Sequence, residues 1–216
     1  MEPEKRNVEY DDGLIITDVD AQLADELEEL AARKKKPTDP MDLVRFYRGE
    51  ISTGERLYDH EGYTFDEIMK FNYEQLESYH RWVQWVFPTK ERSFFQPDVP
   101  ILNNEVIKLF QEDEVLQHRT KWAFLKVIDF YGFELKEENG EEQVVLQQEG
   151  YHHANPKWAI QFFNHNYLRI TRVLTALRYF GHNEWSVKFK NALMEHANRD
   201  TESTMFWEQA ATGYLV

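Results

Sequence analysis

His165, Arg169 and Arg172 are the residues whose types and spacing could most readily do chemistry. They lie in the run NHNYLRITRVLTALRYF, residues 164–180. On a helix that spacing projects all three within about 60° of arc, with the small Ala176 beside them. Arginine presents a planar fork of donors suited to a carboxylate or a phosphate. A helix N-terminus adds positive potential near His165. Two readings follow for the stripe. It orients a buried helix through ion pairs with acidic side chains, or it lines a pocket for an anionic ligand. His80 and Trp85, from HRWVQWVFP at residues 80–88, complete the candidate ligand-binding set. Each has a structural reading too: His80 falls on an apolar helix face as a core histidine with one hydrogen-bond partner, and Trp85 serves packing.

The stripe needs a helix to carry it. Tyr167, Ile170, Val173, Leu174, Leu177 and Phe180 fall in one arc of roughly 140°. Leu168 and Tyr179 lie on another side, where a second element should pack. A helix apolar on nearly every side belongs in the middle of a fold. Asn164 can cap its start, and Gly181 stands where helices turn left-handed and end. No acid occurs between residues 164 and 180, although the chain carries a net charge of −14.

The other elements follow from caps and periodicity. Asp39-Pro40 opens a helix through Leu43, Val44, Phe46 and Tyr47. Thr64 with Glu67 forms a capping box for a short helix. Asn72 opens a longer helix that runs to Pro88 and carries His80 and both tryptophans. Asn104 caps a short helix, and Asp113 caps Glu114–Phe130. Asn139-Gly140 signals a type I′ turn, so residues 133–147 should form a small hairpin. The acids of residues 134–149 form a solvated face, or supply partners for Arg169 and Arg172. Asn155-Pro156 starts another helix, Asn183 caps the next, and Ser203–Ala211 is the last. The fold class is mainly α: one helical domain, residues 40–216, wrapped around the 164–180 helix. Residues 1–39 hold twelve acids and six bases and read as an acidic appendage, partly helical after Asp18. Its basic end, Arg33 to Lys36, suits a helix C-terminus, or a nuclear-import or anion-binding patch.

Composition narrows the function classes. With 42% hydrophobic and 15% aromatic residues, the 216-residue chain can bury a sizeable core. The absence of cysteine excludes disulfides and cysteine–zinc sites and fits a soluble protein of the cytoplasm, or of the nucleus in a eukaryote. No apolar run approaches the roughly 20 residues that cross a bilayer. An excess of acid argues against nucleic acid as a partner and suits a basic protein partner. Eight histidines make no usual metal-ligand spacing. No glycine loop for phosphate and no nucleophile elbow is present. No metal or cofactor is expected.

FYRGEI at residues 46–51, HRWVQWVFP at 80–88, FYG at 130–132 and NHNYLRITRVL at 164–174 occur in this order. Together they resemble the conserved region of the opioid growth factor receptor family, over residues 42–180 and more weakly to Trp207. The resemblance implies a soluble helical domain, not a seven-helix receptor. In animals it is associated with the nucleus and with growth inhibition through an enkephalin peptide. Animal members carry long C-terminal extensions, which this chain does not show before its end at Val216. The resemblance carries over no catalytic or ligand-contacting residue.

Three functions remain in view. The first is a non-catalytic, regulatory binding module for a peptide or small anionic ligand at His165, Arg169 and Arg172. The second is an enzyme acting on a phosphorylated or carboxylated metabolite, with His80 or His165 as acid–base group. The third is an acidic scaffold for a basic protein.

Overall fold

The computed structural model describes residues 8–9, 15–16, 39–53, 62–93, 96–148, 165–196 and 202–213. The chain divides into two compact units, Met1–Thr38 and Asp39–Val216. In the first, β1 (Val8–Glu9) pairs antiparallel with β2 (Ile15–Ile16), Val8 opposite Ile16. Two residues give no period, so the sequence pattern does not signal this pair. The helix expected after Asp18 and the Arg33–Lys36 run lie outside the described residues. So do the Asn155-Pro156 helix and the Asn164 cap.

The second unit is mainly α with one antiparallel hairpin. Its elements are α1 (Met41–Tyr47), α2 (Phe65–Met69), α3 (Tyr73–Ser78), α4 (Trp82–Val86), α5 (Asn104–Glu112) and α6 (Glu114–Phe130). Then come β3 (Phe133–Glu138), β4 (Glu141–Leu146), α7 (Asn166–Tyr179), α8 (Asn183–His196) and α9 (Glu202–Thr212).

Local chemistry sets most boundaries. Thr64 and Glu67 close a reciprocal capping box on α2, and Asn72 with Gln75 does the same on α3. Asp113 accepts from the N–H groups of Val115 and Leu116 at 2.9 and 3.0 Å, which starts α6. The α5 cap is Asn103, one residue before the expected Asn104; its side chain accepts from Val106 N–H, while Asn104 accepts from Lys90. The hairpin pairs Phe133 with Leu146 and Glu138 with Glu141. Its turn places Asn139 and Gly140 at φ 56° and 84°, as a type I′ turn requires.

The central helix, α7, packs against α4, α8 and α9. Ile170, Val173, Leu174, Ala176 and Leu177 are buried, and Phe180 stacks on Phe110 at 4.1 Å between centroids. The helix ends as expected. Gly181 at φ 88° lets its N–H reach Arg178 O while His182 N–H reaches Leu177 O, a Schellman ending. The expectation of a second packed side holds for Tyr179, partly buried against the core, but not for Leu168, which is 67% exposed and uncovered among the described residues. On α9, Trp207 packs edge-on against Tyr167, whereas Met205 and Phe206 are exposed.

The helix expected from Asn72 to Pro88 is two helices. At Tyr79 the backbone leaves the helical region, at φ −82° and ψ 83°. Tertiary contacts decide this. The Tyr79 hydroxyl lies 2.7 Å from Thr53 Oγ1, and its ring meets Tyr63 and Phe71 edge-on. Two residues on, the buried Arg81 donates from Nε to Thr53 O and pairs with Asp98. Trp82 then donates its indole N–H back to Leu76 O at 2.8 Å. The break overturns the reading of His80 as a core residue: it is exposed.

Candidate functional site

A break between two short helices leaves carbonyls without intrahelical partners. The arginine stripe of α7 answers them. Arg169 donates from Nη1 to Leu76 O at 3.2 Å and from Nη2 to Glu77 O at 3.1 Å, both in the last turn of α3. Its guanidinium carbon also sits 5.9 Å from the Trp82 ring centroid, within cation–π range. Only 5% of Arg169 is exposed. Burial pushes its pKa below the ordinary arginine value, against the opposing pull of Tyr131 and Glu77; it stays charged. Arg172, half-buried, donates from Nη1 to Phe87 O at 3.4 Å, beyond the end of α4. Burial lowers its pKa as well, opposed by Glu91. Cations at helix C-termini match both the carbonyl lone pairs and the helix dipole. Among the described residues, no acid of the 134–148 run pairs with Arg169 or Arg172, which leaves the solvated-face reading for that run. Glu142 pairs with Lys121 and accepts from Trp185, and Glu134 pairs with Lys136.

Beside these contacts lies an open cleft of about 530 Å³, between α7 and the segment that follows α4. Its lining includes His80, His165, Arg169 and Arg172. The His80 and His165 ring centroids are 5.2 Å apart. His165 Nε2 is 3.0 Å from Glu77 Oε1, and His80 Nδ1 is 2.8 Å from Ser78 O. His165 occupies the N-cap position of α7 without a side-chain capping bond. Arg92 also lines the cleft and donates to Pro97 O. Among the lining residues, three arginines and two histidines stand against one carboxylate, Glu91. The wall is cationic in a chain whose net charge is −14.

Trp85 does not line the cleft. It is buried on the opposite side of α4, with its ring centroid 5.3 Å from that of Phe46. Thus the structure brings together four of the five sequence candidates and leaves the fifth in the core. Other lining residues went unread in the sequence. Leu168, Thr171 and Thr175 share the Arg172 side of α7, at helical spacings of three and four residues. That periodicity was available as a signal. Arg92 and Gln96 come from an irregular segment that carries none. The two threonine hydroxyls donate to carbonyls four residues back, at 2.9 Å, so toward the cleft they offer lone pairs and methyl groups.

The fold and cleft define a mainly helical domain with a groove beside its central helix whose charged side chains are mostly cationic. The family model described as the opioid growth factor receptor (OGFr) conserved region matches residues 36–211, and the chain belongs to that family. The opioid growth factor receptor-like protein 1 of Xenopus tropicalis is 31% identical over 189 residues, covering 84% of this chain and 34% of the relative. The opioid growth factor receptors of Mus musculus and Homo sapiens are 29% and 30% identical over 143 and 140 residues. Each alignment covers 64% of this chain, and 21% and 19% of those receptors. The chain therefore spans about a third or less of the length of these relatives. No solved structure matches it significantly. Among the described residues, no helix is long and apolar enough to cross a membrane.

Proposed function

We propose that the domain is a non-catalytic recognition module whose cleft takes an anionic group carried by a peptide or small ligand. The cationic lining carries this reading: Arg92, Arg169 and Arg172 against the single carboxylate of Glu91. The arginines divide the work. Arg169 is nearly enclosed and bound to two carbonyls. Arg172 is more open, and Phe87 O is its one hydrogen-bond partner among the described residues. Of the two arginines on α7, Arg172 is therefore the one with donors left for a ligand. The relatives' names describe receptors for an opioid growth factor, which favours a peptide as the carrier of the anion.

The test is calorimetric titration of the protein with an enkephalin peptide bearing a free C-terminus, and with inorganic phosphate. At least one probe should bind, more weakly as salt rises. Arg172→Gln should weaken that binding at least tenfold, the cost of one charge-assisted contact, with little change in unfolding midpoint. Undiminished binding by the variant would remove the proposal.

A further inference from the structure

One turn before Arg172 on the same side of α7, Leu168 stands at the cleft with 67% of its surface exposed. A lone exposed leucine needs no explanation. Here it shares a cleft wall with an arginine, and the two Cα atoms are about 6 Å apart along the helix axis. The wall thus offers an apolar contact and an anion contact at a fixed separation. Val83, from α4, lines the same cleft and adds apolar surface. A third feature concerns Gln96, another lining residue, 8% exposed. Its side-chain carbonyl oxygen has no donor among the described residues. A buried acceptor without a donor is costly, and a donor brought by a ligand would answer it.

Resting on the reading of the cleft as an anion site, we infer that it recognises the last residue of a peptide. The free carboxylate is held at Arg172, an apolar side chain lies on Leu168, and the last amide N–H is offered to Gln96. An amino-acid carboxylate and its own side chain diverge from one Cα, so a single residue spans about the required separation. A phosphate ion lacks the apolar group. A fatty acid brings the carboxylate and the apolar chain but no N–H, which leaves Gln96 unanswered. Charge complementarity fixes the orientation, since a peptide's N-terminal ammonium would meet the arginines with like charge.

Four probes test this by titration calorimetry: N-acetyl-glycyl-leucine, its C-terminal amide, N-acetyl-diglycine, and hexanoate. The leucine acid should bind best. Its amide should bind at least tenfold more weakly, and N-acetyl-diglycine about tenfold more weakly for want of apolar contact. Leu168→Ser, at an exposed position, should keep the fold by circular dichroism. It should bring the leucine acid down to the level of the diglycine acid and leave the latter unchanged. Gln96→Leu should weaken the leucine acid and spare hexanoate. If all three acids bind alike, lose affinity together in Arg172→Gln and ignore Leu168→Ser, the peptide-end inference fails while the anion site stands. If the amide binds as well as the acid, both fail.

Discussion

Replacing Arg169 by methionine separates a structural arginine from a ligand-binding one. Methionine keeps much of the aliphatic volume and removes the charge and the donors. Two hydrogen bonds to α3 are lost, at 3.2 and 3.1 Å to Leu76 O and Glu77 O, together with a longer one at 3.4 Å to Asn166 Oδ1 within α7. Bonds from a charged donor contribute roughly 1.5–3 kcal/mol each. Two terms reduce the sum. Removing a buried charge recovers part of its desolvation cost. The Trp82 indole still bonds Leu76 O, and Glu77 O adjoins the exposed Ser78, where water can replace the guanidinium. The loss of the ring contact to Trp82 and the loss of Glu77's cationic neighbour act in the opposite direction. The net destabilisation should be about 2–4 kcal/mol. For a domain of this size that lowers the unfolding midpoint by about 5–15 °C. Thermal and urea unfolding, followed by circular dichroism, measure it, with Arg172→Gln as a control losing under about 1 kcal/mol. An Arg169→Met protein as stable as the wild type would refute the claim that this side chain holds α3 and α7 together. It would also reopen Arg169 as a ligand contact.

Two further outcomes are expected from other parts of the fold. Burial, helped by Lys121, pushes His182 down to about 4; its ring stacks on Trp185 at 4.1 Å between centroids. The unfolded chain takes up this proton near pH 6.5, and the folded chain holds it off until about pH 4. Stability should therefore fall as pH drops through that window and level off below it, and His182→Gln should flatten this part of a urea-midpoint profile. Asp113→Ala removes the α6 cap and the 2.8 Å pair with Arg48. It should cost about 1–2 kcal/mol in urea unfolding, and a loss under about 0.3 kcal/mol would show that the cap contributes little.

What the sequence made legible was decided locally. Thr64 and Glu67 are three residues apart, and Asp113 bonds N–H groups two and three residues on. Asn139-Gly140 needs only its own dihedrals. The α7 core face was legible because one helix supplies its whole period. The break at Tyr79 was not, since its determinants are distant in sequence: Thr53 is 26 residues away, and Arg169 meets Leu76 across 93. Nothing between Asn72 and Pro88 is a proline or glycine that would mark a break. The error at His80 follows from that one miss. A continuous helix would place it with Leu76 and Val83, whereas the turn at Tyr79 releases it to the surface. For Trp85 the packing reading holds and the ligand-binding one does not; periodicity could not choose between them, because it gives a face but not its neighbour, and that neighbour is Phe46.

The break and the cleft have one physical origin. An unbroken helix would satisfy Leu76 O and Glu77 O internally, and a buried guanidinium at Arg169 would then have no acceptor among them. The kink exposes those carbonyls toward α7, which makes an arginine tolerable in the core of an acidic protein. It also turns His80 out beside His165, 5.2 Å away. Once Arg169 is committed to carbonyls, the stripe cannot act as a two-arginine clamp. Under the proposed reading, the ligand contact falls to Arg172 and to what its own side of α7 places next to it. That side carries Leu168, Thr171 and Thr175, and it contributes no acid that would compete for the cation.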